Sequence, residues 1–310
     1  MKFAGIIAEY DPFHNGHAWQ LAQAKALGAE RVAVAMSCSL VQRGALPLLP
    51  EAVRTRSALT CGADLVFALP APCACAGAEA FARAGVALLA AAGCDGLVFG
   101  VETPDAALLM EAAELLDSDS YRAALKAQLA GGARSFAAAR QAAAAQLASD
   151  ERVAALLDKP NNNLAVEYCR AIRSLAPRME AYPLPRQGAD HGEALHSAHG
   201  QFASASALRK LWAEGGADAV APYVPEAVFP LYQEAYAAGQ YTDFSAAGRC
   251  ELALLRSACR GKPPFADIRG VSEGLEHRLK AAVRTSTTYD ELLDALTTVR
   301  YPRARMRRLA

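Results

Sequence analysis

Short apolar runs alternate with segments of helical pattern through the first hundred residues, and this alternation constrains the fold most strongly. The apolar runs, which are typical of buried strands, cover residues 3–8, 31–36, 64–69 and 96–100. Helical patterns lie between them, at about 17–27, 50–60 and 77–92. A strand, a helix and a strand in this order form a βαβ unit with parallel strands. The sequence therefore predicts a Rossmann-like, doubly wound α/β fold with a parallel sheet.

After Pro104 the pattern becomes helical. Residues 105–158 are rich in Ala and Leu at helical spacing and hold almost no β-branched residues, which predicts a helical insert at about 104–158. A helix at 164–175 and a strand at 179–184 follow, and the pattern is mainly helical from about residue 204. We therefore expect a sheet-containing unit over 1–212 and an α-helical, basic-ended unit over 213–310.

Composition excludes a largely disordered chain, because 53% of the 310 residues are hydrophobic and 21% are charged. Basic and acidic residues number 32 each, yet five Arg and no acid lie within 300–308. The longest apolar run, 84–94, is shorter than the roughly 20 residues of a membrane span. The eight Cys lie mostly in apolar surroundings, and Cys73-x-Cys75 has no second pair at metal-ligand spacing. With no secretory-type start, these features predict a cytoplasmic protein that binds no structural metal and no membrane.

The segment 5–17, GIIAEYDPFHNGH, carries the strongest chemical signal. It places His14 and His17 at the mouth of the first predicted helix, beyond the end of the first strand, where ligands of such folds bind. A helix N-terminus suits phosphate, because it offers N–H groups and a positive dipole end. Both imidazoles can face one anion there, and Gly16 allows close approach of a ligand. The alternative is a helix-capping turn with one exposed and one buried His.

His14-Asn15-Gly16-His17 resembles the signature of the HIGH-motif nucleotidyltransferases, and the wider sequence resembles one family among them, the bacterial tRNA(Met) cytidine acetate ligases. Similar blocks occur in the same order over most of the chain. They are GIIAEYDPFHNGH (5–17), SCSLVQRG (37–44), GADLVFALP (62–70), LVFGVE (97–102), KPNNNLAVEY (159–168), PLPRQGADH (183–191), FASASALRK (202–210), GVSEGLEHR (270–278) and RYPRARMRRL (300–309).

The resemblance implies an ATP-dependent ligase. In that family acetate attacks the α-phosphate of ATP, which gives acetyl-AMP and pyrophosphate, and the acetyl group passes to N4 of the wobble cytidine of elongator tRNA(Met). Such chemistry depends on positioning and charge stabilisation more than on a covalent nucleophile. The resemblance thus implies ATP, accompanied by Mg²⁺, as cofactor, and tRNA and acetate as partners. The unit over 1–212 would be catalytic and that over 213–310 would bind RNA.

The resemblance also assigns residues. Catalysis is expected from His14 and His17, which would neutralise the leaving pyrophosphate, and from a second helix start with Ser204, Ser206 and Arg209. Nucleotide binding is expected from Ile7, Ala8, Glu9, Tyr10, Asp11, Pro12, Phe13, His14, Gly16, His17, Gln20, Gly100, Asn161, Asn162 and Arg186. Contacts with RNA phosphates are expected from Arg300, Arg303, Arg305, Arg307 and Arg308.

Each assignment has a simpler alternative. The segment ASASALR (203–209) is also typical of an ordinary capped helix start, and the three Asn of 161–163 are typical of a surface turn. Residues 42–44 (QRG) can form a turn with a solvated Arg. The Arg-rich end can be a solvated tail, because too few apolar residues lie beside these Arg for the segment to form a core element.

Several positions depart from the family pattern. Cys38 and Ser39 stand where the family has Gly and Asn, Glu51 where it has Lys, Ala68 where it has Glu, and Val101 where it has Ser. These departures leave two alternatives open. One is a HIGH-type nucleotidyltransferase with a different small acceptor. The other is a degenerate relative that binds nucleotide or RNA without turnover, which the end of the chain soon after the Arg block also favours.

Overall fold

The computed structural model describes residues 1–132, 135–186, 195–197, 200–259, 265, 268, 271 and 274–309. Its strands are β1 (Phe3–Ala8), β2 (Arg31–Ser37), β3 (Leu65–Leu69), β4 (Gly96–Val101), β5 (Glu180–Pro185), β6 (Leu195–Ser197) and β7 (Gly200–Phe202). Within the described residues, β1 to β5 form one parallel sheet in the order β3-β2-β1-β4-β5. Strands β6 and β7 form a separate antiparallel hairpin.

Helices cover both faces of the sheet and make up most of the remaining chain. They are α1 (Asn15–Ala26), α2 (Glu51–Thr60), α3 (Ala71–Ala74), α4 (Ala78–Ala91), α5 (Ala106–Asp117), α6 (Asp119–Ala130), α7 (Phe136–Leu147), α8 (Glu151–Leu156), α9 (Pro160–Leu175), α10 (Ala205–Gly215), a 3₁₀ helix (Asp218–Tyr223), α11 (Phe229–Ala237), α12 (Phe244–Ala258), α13 (Leu275–Thr285), α14 (Tyr289–Leu296) and α15 (Arg303–Leu309).

Strand residues alternate between the two faces of the sheet, and each face has its own hydrophobic core. Ala33 and Ala35 of β2 lie in the core formed with α4, α9 and the helices of the insert. Val32 and Val34 lie in the opposite core, formed with α1, α2 and α10. Because both faces are covered, the strands are nearly continuous apolar runs. The predicted doubly wound parallel sheet and its helical insert are confirmed.

A third core lies in the last part of the chain and includes Leu252, Leu279 and Leu293. Met306 of α15 is 1% exposed within it, so the Arg-rich end is a packed helix and not a solvated tail. Residues between 217 and 235 belong instead to the core with α1 and α2. We propose that the division between units expected at residue 212 lies nearer residue 240.

The structure differs from the sequence-based expectations at several boundaries. Helix α1 begins at Asn15, two residues earlier than expected, and α9 begins at Pro160, so residues 161–163 are helical and do not form a surface turn. The hairpin of β6 and β7 was not expected. Fewer Cys are buried than their apolar neighbours indicated, since Cys250 is exposed and four others are half-buried. Residues 187–191, 270, 272 and 273, which belong to two family-like blocks, lie outside the described residues.

Candidate active site

The segment between β1 and α1 forms a tight turn at the carboxyl edge of the sheet. Tyr10 has a backbone φ of 50°, which residues other than Gly seldom adopt. Its buried ring meets the rings of Phe13 and His17 edge to face, at centroid distances of 4.9 and 4.8 Å. The Tyr232 hydroxyl donates to the Phe13 carbonyl oxygen at 2.7 Å. Tyr10 and Phe13, expected to contact nucleotide, therefore pack against the ring of His17.

His14 and His17 stack at the start of α1, with ring centroids 3.7 Å apart. His14 is the N-cap residue, and its Nδ1 accepts a hydrogen bond from the Gly16 N–H at 3.1 Å. Nδ1 of His17 accepts from the His14 N–H at 3.3 Å. Because each Nδ1 is an acceptor, the proton of each neutral ring is assigned to Nε2. Each Nε2–H can then donate to a ligand at the helix mouth.

Both imidazoles are neutral near pH 7. Burial, with a contribution from the Arg186 guanidinium, lowers the pKa of His14 to about 3. Burial also lowers the pKa of His17, and His14 and Arg186 add to this effect. That His14 and His17 neutralise the leaving pyrophosphate stays a prediction. In the structure the rings offer hydrogen-bond donors, and Arg side chains and the N-terminus of α1 add positive potential.

Gly16 makes room for the His14 ring. A Cβ at residue 16 would lie 2.9 Å from Cε1 and 3.1 Å from Nδ1 of His14. Such distances are shorter than van der Waals contact, so a side chain here would displace the ring from its hydrogen bond. The sequence predicted that a ligand would approach Gly16 closely. In the structure, the imidazole of His14 occupies this position.

Asp11 joins three parts of the site. Its Oδ1 accepts from the Leu48 N–H at 2.6 Å, and Nη1 of Arg209 donates to its carbonyl oxygen at 2.6 Å and to Oδ2 at 3.1 Å. Asp11 is 4% exposed, and burial raises the pKa of its carboxyl while the Arg209 guanidinium opposes that change. Asp11, expected to bind nucleotide, therefore holds Arg209 of α10 against the turn that carries the two His.

The first turn of α10 carries the other residues expected to be catalytic. Ser204 is the N-cap, and its Oγ accepts from the Ala207 N–H at 3.2 Å. The hydroxyls of Ser204 and Ser206 lie 3.0 Å apart, and Ser206 is exposed. The helix start predicted from ASASALR is confirmed. It brings two hydroxyls and a guanidinium to one helix N-terminus, which is a suitable environment for an anion.

At the carboxyl end of β4, Glu102 binds the first turn of α9. Its Oε1 accepts from Asn161 Nδ2 at 2.7 Å, and its Oε2 accepts from the Asn162 N–H at 2.8 Å. In return, Asn162 Oδ1 accepts from the backbone N–H groups of Glu102 and Thr103 at 3.1 and 3.0 Å. Asn162 is 1% exposed. The geometry thus places its amide on the loop after β4, where it holds that loop to α9.

Arg186 connects this region to the paired His. Its Nη1 donates to Asn161 Oδ1 at 3.0 Å, and its backbone N–H donates to the Val101 carbonyl oxygen at 3.0 Å. The exposed guanidinium lies close enough to His14 and His17 to lower the pKa of both. A Cβ at Gly100 would meet Arg186 Cγ at 3.4 Å, an ordinary van der Waals distance, so Gly100 lies directly beside the Arg186 side chain. The structure therefore brings the separate sequence blocks to one edge of the sheet.

The remaining residues expected to bind nucleotide make contacts within the protein. Ile7 and Ala8 end β1, and Pro12 is buried in the turn. Gln20 Nε2 donates to the Val98 carbonyl oxygen at 3.1 Å, which ties α1 to β4. Glu9 follows β1 directly, and its Oε1 accepts from the Gln42 N–H at 2.6 Å.

Two residues to which the sequence assigned no role organise the site. Arg54 is 0% exposed, and its guanidinium donates to the carbonyl oxygens of Leu49, Glu9, Ser37 and Cys38. It thereby ties together the carboxyl ends of β1 and β2. The sequence feature that could have indicated this role is an Arg on the apolar face of α2, beside Val53 and Ala58. For Glu102, the corresponding feature is an acidic residue directly after a strand.

The Arg residues expected to contact RNA make several contacts within the protein. Arg303 binds Asp294 and, at 2.5 Å, Asp290. The Arg305 guanidinium lies 4.9 Å from the centroid of the Tyr301 ring. Arg308 Nη1 donates to the Gln42 carbonyl oxygen at 3.2 Å. Arg300 is exposed and Arg307 is half-buried.

Neither a metal-binding cluster nor a membrane-spanning helix occurs among the described residues. No group of three or more His, Cys, Asp or Glu side chains in this part of the chain could hold a metal ion. Nor does any helix in these ranges have the length and apolar character needed to cross a bilayer.

The sheet topology and the paired His at the first helix start define the class of protein. A model of the HIGH Nucleotidyl Transferase family matches residues 1–310. The expected superfamily is therefore confirmed.

Similar proteins identify one family within this class. The tRNA(Met) cytidine acetate ligase of Syntrophotalea carbinolica is 36% identical over 311 residues, which cover 99% of this chain and 73% of that protein. The enzyme of the same name from Acetivibrio thermocellus is 33% identical, over 100% of this chain and 76% of that protein. The chain belongs to the tRNA(Met) cytidine acetate ligase family, as the sequence predicted.

Solved structures agree with this assignment. Apo Thermotoga maritima TmcAL is 31% identical and superimposes with a TM-score of 0.91, over 100% of this chain and 74% of that one. The structure of TmcAL bound with alpha-thio ATP is 30% identical and gives a TM-score of 0.89, over 100% of this chain and 73% of that one.

Proposed function

We propose that the chain is an ATP-dependent tRNA(Met) cytidine acetate ligase. Its family membership supports the activity, and the similarity to TmcAL bound with alpha-thio ATP supports the nucleotide. The observation that carries the proposal is the stacked pair of His14 and His17, whose Nε2–H groups can donate to a phosphate at the mouth of α1. Arg186 and Arg209 border the same site and add positive charge for a triphosphate.

In the first half-reaction, a carboxylate oxygen of acetate attacks the α-phosphorus of ATP, and the bond between that phosphorus and the pyrophosphate oxygen breaks. Negative charge develops on the phosphate oxygens as the bond breaks. Hydrogen bonds from Nε2 of His14 and His17 stabilise this charge. The N-terminus of α1 contributes positive potential at the same point.

In the second half-reaction, N4 of the wobble cytidine attacks the acetyl carbonyl carbon. The new C–N bond forms, the C–O bond to AMP breaks, and the amine loses a proton. We assign Glu9 as the acceptor of this proton, because it follows β1 at the same edge of the sheet. Burial raises the pKa of its carboxyl, which makes it a better base for this step.

We propose that Mg²⁺ is bound by the triphosphate of ATP. No cluster of three suitable ligands occurs in the described part of the chain, and both carboxylate oxygens of Asp11 already accept hydrogen bonds. Mg²⁺ commonly binds substrate phosphates with few protein ligands.

The tRNA would contact the Arg-rich helix α15 and the residues before it. Arg300, Arg305 and Arg307 lie on this segment with exposed or half-exposed side chains, and planar guanidinium groups suit phosphate oxygens. A cytoplasmic location belongs to the same proposal, because it follows from a tRNA substrate.

The test is an assay of purified protein with ATP, ¹³C-acetate and total tRNA, followed by mass spectrometry of the nucleosides. We expect labelled N4-acetylcytidine and acetate-dependent release of pyrophosphate, neither of which should occur with the His14→Ala/His17→Ala double variant. Release of pyrophosphate with another carboxylate, but not with acetate, would indicate a different acceptor. No release with any acceptor would indicate a nucleotide- or RNA-binding relative without turnover.

A further inference from the structure

A turn at residues 41–45 lies beside the segment that carries the two His. The turn is closed by backbone hydrogen bonds, from Val41 N–H to the Ala45 carbonyl oxygen and from Gly44 N–H to the Val41 carbonyl oxygen, both 2.9 Å long. Within this turn, the Gln42 N–H donates to Glu9 Oε1 at 2.6 Å. The Gln42 side chain donates to the Ala76 carbonyl oxygen at 3.1 Å. The turn thus binds the carboxylate of Glu9 through a fixed backbone N–H.

The opposite side of the turn contacts helix α15, more than 260 residues further along the chain. The carbonyl oxygen of Gln42 accepts from Arg308 Nη1 at 3.2 Å. Gly44 has a φ of 77°, and a Cβ there would lie 2.8 Å from the Arg308 backbone nitrogen and 2.9 Å from the Arg307 carbonyl carbon. These are backbone atoms of a helix, which cannot rotate away as a side chain can. Only Gly at residue 44 therefore permits this contact.

We infer that Gly44 and Arg308 are positioning residues, which dock α15 on the turn and thereby hold the Gln42 N–H on the carboxylate of Glu9. The inference deepens the proposed function and rests on it, since Glu9 is there the proton acceptor in acetyl transfer. It gives Arg308 a role within the protein, in place of the RNA contact expected from the sequence. RNA that moves α15 would act on Glu9 through the same turn.

The charged groups around Glu9 determine the effect of losing this contact. Burial raises the pKa of Glu9, and the neighbouring Asp11 raises it further, whereas the Gln42 N–H, Arg43 and Arg209 lower it. Tyr168 of α9 also faces Glu9, and Arg54 binds the Glu9 carbonyl oxygen. Gln42 and Arg43 both belong to the turn. Displacing the turn therefore raises the pKa of Glu9, and a base that must be ionised loses activity first at acidic pH.

The test compares two variants with two matched controls. Gly44→Ala introduces the clash with α15, whereas Gly274→Ala introduces the same backbone strain without a clash, because Gly274 also has a φ of 77° and no atom within 4 Å of its Cβ position. Arg308→Ala removes the donor to Gln42, whereas Arg284→Ala removes an exposed Arg of α13. The readout is kcat for N4-acetylcytidine formation at saturating tRNA, measured across pH. Saturation separates kcat from any loss of RNA affinity.

We expect the acidic limb of the kcat profile to move upward by about one pH unit in both variants, so that kcat falls about tenfold at pH values well below this limb and less above it, as loss of a hydrogen bond to a charged carboxylate predicts. Both controls should match the parent protein. A fall in kcat without movement of the acidic limb would overturn the inference, because it would show a structural effect that does not pass through Glu9. If Gly44→Ala does not fold, the pH profile of Arg308→Ala alone tests the inference.

A second measurement separates this inference from the proposed function. The Glu9 carboxyl is titrated by ¹³C NMR in the full chain without substrates, and we expect it to titrate at higher pH in the two variants than in the two controls. A parent protein that acetylates no tRNA would refute the proposed function, yet this titration would still test the contact. An identical Glu9 titration in all five proteins would overturn the inference.

Discussion

At the mouth of α1, each of His14 and His17 uses Nδ1 to accept a backbone N–H, and we propose that Nε2–H donates to a ligand. At the end of β4, by contrast, the Asn162 amide is bonded to the loop beside it and is 1% exposed. Both regions match family motifs that resemblance alone assigns to nucleotide binding. The first region presents hydrogen-bond donors, whereas the second mainly maintains the shape of the sheet edge.

This difference shows that the residues of one family motif do not all share one function. Buried polar groups must be hydrogen-bonded, so a polar residue that folds inward finds partners within the protein. Asn162, Asp11 and Gln20 all do so. Residues at the rim, such as Arg186, also bond to neighbours but remain exposed. We therefore expect substitutions in the first region to impair turnover and those in the second to impair stability.

The largest effect is expected for His17→Ala, which removes one donor to the phosphate. Loss of one such donor typically lowers kcat by 10²–10³-fold, so acetate-dependent pyrophosphate release should fall by about this factor. The variant also leaves the His14 N–H without its acceptor, so the free energy of unfolding should fall by about 1 kcal/mol, which is too little to account for the loss of rate in a protein that stays folded. His17→Gln, which retains an N–H donor, should restore part of the rate. Because the ring is neutral, the parent pH profile should show no step near pH 6.5 from His17. A variant as active as the parent would remove the main distinction between the two regions.

The sequence predicts the overall fold well because strand and helix periodicity are local properties. The βαβ order, the insert and the position of the His pair after β1 all follow from short segments. Long-range contacts do not. Nothing near Gly44 indicates that a helix at 303–309 lies against it, and nothing near Glu102 indicates that it binds the start of α9. The burial that lowers the pKa of both His also comes from distant elements, so the residues next to them in the sequence do not indicate it.

The second prediction concerns Asn162→Ala and tests the other side of the comparison. The substitution leaves the Glu102 and Thr103 N–H groups without their acceptor, which should lower the free energy of unfolding by about 1–3 kcal/mol. Asn161→Ala is the matched control, because Asn161 is half-buried and its Oδ1 accepts from the exposed Arg186. In urea unfolding, Asn161→Ala should lose less free energy of unfolding than Asn162→Ala. In ATP titration, Asn161→Ala should lose more affinity. The reverse order would mean that Asn162 faces the nucleotide.

The smallest effect is expected for Glu51→Lys, at the margin of the first region. Glu51 is the exposed first residue of α2, and its carboxylate lies against the thiol of Cys38, whose pKa is raised to about 11 by burial and by Glu51. Both residues depart from the family pattern, so the two departures contact each other. If the Glu51 side chain also faces ATP, its charge opposes binding by about 1 kcal/mol, the value for unit charges about 4 Å apart in a water-like dielectric. Restoring Lys should then lower the Kd of ATP by about fivefold at low salt.

The same substitution places a cation at a helix N-terminus, which should cost about 0.3–1 kcal/mol of stability. Glu151→Lys, at the first position of α8 in the insert, carries that dipole effect alone and should leave the Kd of ATP unchanged. Calorimetric titration of both variants with ATP at low and high salt separates the effect of the residue 51 charge on ATP binding from the helix-dipole effect. Salt screens the effect of an exposed charge on ATP binding. An unchanged Kd in Glu51→Lys would show that Glu51 serves only Cys38 and α2. The first region would then end at Asp11 and Arg209, and would not extend to the start of α2.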